Sequence, residues 1–192
     1  MAERYRRPAS AEVHEVGPLA RAGRWVFALS LVGAAVFGAL QEARFRVLEA
    51  TIAQQWMGGP LEGSVRRFED LLYFPWVNGP AVGLQITSEC TVILLIAPVV
   101  VVAAVLCALT RFQLLRVAGG LIAGVALLMI ANQIRLLVIA FSVQTWGWAG
   151  YDVSHKFVGT VIGLVGFTLA VLLMLRVAAG SDRSRRRDRS LA

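Results

Sequence analysis

Three side chains of this 192-residue chain can carry out covalent chemistry together: the thiol of Cys90, the guanidinium of Arg135 and the imidazole of His155. A thiolate attacks a carbonyl carbon, an imidazole carries the proton from thiol to leaving group, and a guanidinium stabilises the oxyanion or clamps the substrate backbone. Arg135 is the strongest single signal, because it lies inside an apolar run. An arginine there costs roughly 2.5–3.5 kcal/mol on insertion scales and needs a partner or a purpose. The apolar runs hold no carboxylate, and the nearest acids are Glu89 and Asp152 at their outer boundary.

Neighbouring residues sharpen this set. Asn132 lies one turn before Arg135 on the same helical face and can orient it or touch a substrate backbone. Asp152, three residues before His155, can accept one ring N–H and leave the other nitrogen free. Thr87 or Ser88 is placed to N-cap a helix starting near Cys90, where backbone N–H groups favour a thiolate; Glu89 opposes this if it points the same way. Ser154 can cap the following helix. Cys107 and His14 have no comparable surroundings. Cys90 and Cys107 stand about 25 Å apart along one helix at 1.5 Å per residue, too far for a disulfide. No Cys/His zinc spacing occurs, and neither metal nor cofactor is expected.

The elements that must position these groups are membrane helices. Hydrophobic residues form 57% of the chain and charged residues 16%, with mean hydropathy +0.67, and 192 residues offer no soluble interior for four apolar runs. The expected fold is all-α: a polytopic transmembrane helical bundle of about four spans with both termini cytoplasmic. The spans cover about 25–43, 90–109, 117–143 and 156–176, between a basic leader (1–24), an external segment (44–87) and an Arg-rich tail (179–192). The first run resembles a signal peptide's apolar region in length, but Leu19 and Ala20 extend it and no A-x-A site follows, so a retained helix is expected. Gly58-Gly59-Pro60 interrupts the external segment. Val47 to Met57 is expected as an interfacial helix with Trp56 at headgroup level, and Tyr73 to Asn78 as a cover or reader over the site. Pro98 is expected to kink the second span, and Gln144–Ser154 to form an aromatic, polar loop.

The net charge of +7 does not indicate nucleic acid, because the arginines flank the apolar runs. With both ends inside, thirteen basic residues lie in cytoplasmic segments and five in outer ones, which sets the orientation. Cys90 and His155 then begin their spans at outer ends, and Arg135 sits about 12 Å below the outer end of its own. Small-residue stripes support convergence: His155, Gly159, Gly163 and Gly166; Arg135, Ala131, Leu128, Gly124 and Gly120; Cys90, Ala97 and Ala104.

Three short blocks, Ser88-Glu89-Cys90-Thr91, Asn132-Gln133-Ile134-Arg135-Leu136 and His155-Lys156-Phe157-Val158-Gly159, resemble in order and spacing the signature blocks of the exosortase/archaeosortase family. The resemblance covers about residues 70–175. Val92 stands where the family usually has glycine, and four spans is fewer than many members have. The resemblance implies a membrane cysteine transpeptidase or endopeptidase of the cell membrane, with its site facing outside. Its partners would be exported proteins bearing a C-terminal sorting helix and a basic tail. It implies Cys90 as nucleophile, Arg135 as transition-state or substrate-positioning residue and His155 as acid/base. The rival reading is a non-enzymatic scaffold that uses Arg135 to hold an acidic partner. A transporter subunit is weaker, since one intramembrane arginine makes a poor ion path.

Overall fold

The computed structural model describes residues 18–61, 65–76, 79–110 and 113–180. The leader to residue 17, the tail from 181, Asn78, Arg111 and His14 lie outside the described residues. The elements run α1 (Pro18–Leu40), α2 (Glu42–Met57), β1 (Arg66–Phe68), β2 (Leu71–Trp76), β3 (Gly79–Gln85), α3 (Ile93–Leu109), α4 (Leu114–Val153), a π-helical turn (Ser154–Val158) and α5 (Gly159–Ala179). The chain is mostly helical. Two helical stretches, Arg21–Leu40 and Leu114–Ala179, are long and apolar enough to cross a membrane, and Ile93–Leu109 is a shorter apolar helix.

The strands depart from the all-α expectation. They form one antiparallel sheet in the order β1-β2-β3. Leu72 and Phe74 point inward and Tyr73 outward, the period-2 alternation of a half-buried strand. Glu69 takes φ 53° in the two-residue turn between β1 and β2. Pro75 has no N–H to give, yet it sits in the central strand; the register shift between Phe74 and Trp76 accommodates it. The sheet, α2 and the C-terminal part of α4 share one core, in which Ala53, Met57, Leu72, Phe74, Ile86 and Ile139 are buried. α2 begins five residues earlier than the sequence suggests. It is fastened to α4 by Trp56 Nε1–H donating to Gln133 Oε1 (3.1 Å) and Gln133 Nε2 donating to the Glu49 carbonyl (3.3 Å).

A second apolar core joins α1, α3, α4 and α5 through Ala28, Val99, Ala103, Leu128, Ala170 and Met174. Pro98 lies within α3, which stays helical from Ile93 to Leu109. The expected loop at 144–154 is helical instead. One residue inside it, Gly147, is non-helical (φ 64°, ψ −147°), and there the chain doubles back. Only glycine adopts that backbone freely, and a Cβ would stand 3.1 Å from the Trp76 ring. Gln144 Nε2 donates to the carbonyls of Leu61 (2.7 Å) and Pro75 (3.1 Å), fixing the reversal to the core formed with α2 and the sheet.

The two limbs of this hairpin meet along the small-residue stripes. A Cβ on Gly120 would lie 2.7 Å from the Met174 carbonyl oxygen, one on Gly124 3.1 Å from that of Ala170, and one on Gly166 2.7 Å from the Ala131 Cβ. Gly120→Ala therefore presses a methyl against backbone that cannot yield. Overpacking of this kind costs about 1–3 kcal/mol, so its melting temperature in detergent micelles is expected to fall by several degrees. Gly163→Ala, where nothing lies within 4 Å of the added Cβ, is expected not to fall. Equal melting of both variants would show that the glycine contact carries no weight.

Candidate active site

Cys90 lies not at a helix start but in the turn before one. Its N–H donates to the Thr87 carbonyl (2.9 Å), and α3 begins three residues later at Ile93. Neither Thr87 nor Ser88 caps that helix. The cap comes from outside: Val92 N–H and Thr91 Oγ1–H both donate to Glu49 Oε1, at 2.7 and 3.1 Å. The carboxylate satisfies the Val92 N–H and favours the positive end of the dipole, and Thr91 Oγ1 accepts from Ile93 N–H (3.5 Å), so Ser88 has no capping role. The Cys90–Ala97–Ala104 stripe does not extend to the thiol, since Cys90 is outside the helix.

His155 lies deeper than the sequence suggests. The hairpin turns at Gly147, eight residues before it, so the imidazole hangs about 12 Å below the turn at helical rise. Arg135, twelve residues before the same turn on the opposite limb, sits at about 18 Å, level with Gly159. The π-helical turn over Ser154–Val158 carries His155 and adjusts its direction; such bulges recur at functional sites. The ring stacks on Tyr151 one turn earlier, with centroids 5.1 Å apart and planes 9° from parallel.

The three candidates meet. Cys90 Sγ lies 4.0 Å from both ring nitrogens of His155. Arg135 donates from one terminal nitrogen to the Glu89 carbonyl, the residue before the cysteine (3.2 Å), while its Nε is buried without a partner. The guanidinium passes over Gly159, where a Cβ would stand 2.9 Å from Nε. Asn132 Nδ2 donates to the Cys90 carbonyl (3.0 Å). Cys90, Asn132 and Arg135 are each less than a tenth exposed, at 5%, 3% and 8%.

The supporting residues are placed unevenly. Glu89, with its side chain in the open, brings a carboxylate oxygen to 4.0 Å from His155 Nε2. Asp152 does not orient the imidazole, because its carboxylate faces outward and pairs with Lys156 (3.1 Å). Ser154 donates to the Tyr151 carbonyl (3.3 Å) within the helix and caps nothing.

Glu49, absent from the expected set, is fully buried at the centre of this arrangement. Besides Thr91 and Val92 it accepts from Asn132 Nδ2 at Oε2 (3.4 Å). Burial pushes its carboxyl up to about 7, against the Val92 and Thr91 hydrogen bonds and the Arg135 charge, which pull it down. Arg135 thus has the acidic neighbour that the spans themselves do not supply. One signal is present in the chain: Glu49 heads a face continued by Ala53 and Met57 at four-residue spacing, an acid leading a small, apolar stripe.

From Arg135 and Glu89 a groove of about 430 Å³ runs between α3 and α5, past Leu95, Pro98, Gly163 and Phe167. Among the described residues no three His, Cys, Asp or Glu side chains gather as a metal site. Comparison with family models, curated proteins and solved structures returns no match to the chain.

Proposed function

We propose that the chain is a membrane-embedded cysteine transpeptidase or endopeptidase of the exosortase/archaeosortase kind, cleaving C-terminal sorting signals of exported proteins at the outer face of the cell membrane. The observation that carries this reading is the thiol–imidazole approach of 4.0 Å beside a buried guanidinium, at the head of a groove leading along two apolar helices. Counted over four spans, the thirteen-to-five charge bias supports the orientation with both ends cytoplasmic, α2 and the sheet then lying outside. The substrate's sorting helix enters the groove sideways from lipid, where Gly163 leaves space.

In this reaction His155 takes the Cys90 proton and the thiolate adds to the substrate carbonyl carbon. The oxyanion forms beside Arg135, whose unpartnered Nε–H is a donor in reserve. Collapse breaks the C–N bond, and the imidazolium protonates the leaving amine. A thioester on Cys90 remains, which an amine, hydroxyl or water resolves. A scaffold role for Arg135 has less support, since its guanidinium already binds the Glu89 carbonyl and neighbours Glu49.

The direct test is to mix the purified protein with a sorting-signal substrate, quench in acid and map adducts by mass spectrometry. A hydroxylamine-labile acyl group on the peptide containing Cys90 is expected. Substrate cleavage with no adduct there, or with one on Cys107, would overturn the reading.

A further inference from the structure

We infer that Glu49 is a positioning residue of this site, holding the Cys90 backbone through Asn132 and the first turn of α3. This rests on the proposed reading for its catalytic consequence but not for its geometry. Three donors converge on one carboxylate: Thr91 Oγ1–H, Val92 N–H and Asn132 Nδ2. Two of these residues follow Cys90 directly in the chain. The third is the side chain that binds the Cys90 carbonyl.

In its ionised form the Glu49 carboxylate accepts at both oxygens, and that matters. The Asn132 amide nitrogen has two hydrogens and faces two acceptors, Glu49 Oε2 and the Cys90 carbonyl. Its own oxygen, turned the other way, is buried without a donor. A buried acceptor left unpaired is costly, so the amide is held in this sense by the two bonds on its nitrogen side. A glutamine at 49 keeps an oxygen for Thr91 and Val92 but turns an NH₂ toward the Asn132 NH₂. The clash is relieved when Asn132 rotates by half a turn, and the Cys90 carbonyl then loses its donor. Glu49 thereby selects which end of Asn132 meets the nucleophile's backbone. The charge bearing on this carboxylate is that of Arg135 from α4.

The test uses the full-length protein in detergent with Cys107→Ala, so that Cys90 is the single thiol, and measures its alkylation rate by N-ethylmaleimide. Glu49→Gln is expected to accelerate alkylation at least about tenfold, because a lost charge-assisted hydrogen bond raises the open population. Asn132→Ala is expected to do the same, with the double variant no faster than either single one, since both break one linkage. Gly120→Ala, which loosens the distant end of the hairpin, is expected to lower the melting temperature without accelerating alkylation. In processing assays Glu49→Gln is expected to lower kcat with KM unchanged, and Glu49→Asp to recover part of it. Additive effects of the Glu49 and Asn132 changes, or equal acceleration by Gly120→Ala, would make Glu49 ordinary packing. If no variant processes any substrate while the alkylation pattern holds, the enzymatic reading fails and the positioning role stands. If Glu49→Gln processes substrate and is alkylated at the parent rates, the positioning role fails and the enzymatic reading stands.

Discussion

Cys90→Ala is expected to remove processing of sorting-signal substrates, by at least about a thousandfold, with the protein still present at its normal level in the membrane. The size follows from the role: without the sulfur no thioester forms, and groups that act as a unit lose most of their effect when one is removed. The fold should not suffer, because the exchange deletes a single atom from a small side chain that is 5% exposed. Cys90→Ser, with a hydroxyl in the same place, is expected to be nearly as inactive. Cys107→Ala is the companion measurement. That thiol packs in the second core, on α3, far from His155. It should process normally. Processing by Cys90→Ala at more than a few per cent of the parent rate would end the nucleophile assignment and return the chain to the scaffold reading.

Arg135→Lys is expected to lower kcat by about 100- to 1000-fold, the usual cost of one lost oxyanion donor, while KM changes little. Lysine keeps the charge, so a loss of this size cannot be assigned to charge alone. The guanidinium places one terminal nitrogen 3.2 Å from the Glu89 carbonyl and keeps Nε in a dry position over Gly159. An ammonium on a flexible stem reproduces the point charge but not the planar fork. The measurement is steady-state processing with a soluble substrate that ends in a short apolar helix. A lysine variant at full rate would mean that the guanidinium is neither donor nor clamp.

Much of the site is readable from residue types because long apolar helices leave so few reasons for a polar side chain. Arg135 stands out on cost. The stripes through Gly120, Gly124 and Ala131 and through Gly159 and Gly166 identify the faces that meet, since close approach of two helices needs small residues at matching heights. Other features depend on partners distant in the chain. Glu49 sits in a polar, charged stretch of α2 with only the Ala53/Met57 stripe to mark it, and its burial comes from the turn before α3 and from Asn132 and Gln133 of α4. Once it supplies the cap, Ser88 has no such role. Asp152 looks closest to His155 in sequence, yet Lys156 stands four residues after it and takes the carboxylate. The sheet is hidden by Pro75, which argues against a central strand until the local register shift is known. The segment 144–154 carries the aromatic and polar residues of a loop, but a single left-handed glycine suffices to reverse a helix there.

That reversal also sets a ruler for whatever is cut. If the chain cuts as proposed, with the imidazole about 12 Å beneath the bend at Gly147 and an extended peptide advancing about 3.3 Å per residue, close to four residues would separate the bend from the severed bond. On that reading, a tag whose readable letters sit nearer the cut than this would be sensed among Tyr151, His155 and Arg135. Letters farther upstream would then fall to the sheet and to the tryptophans beside the bend.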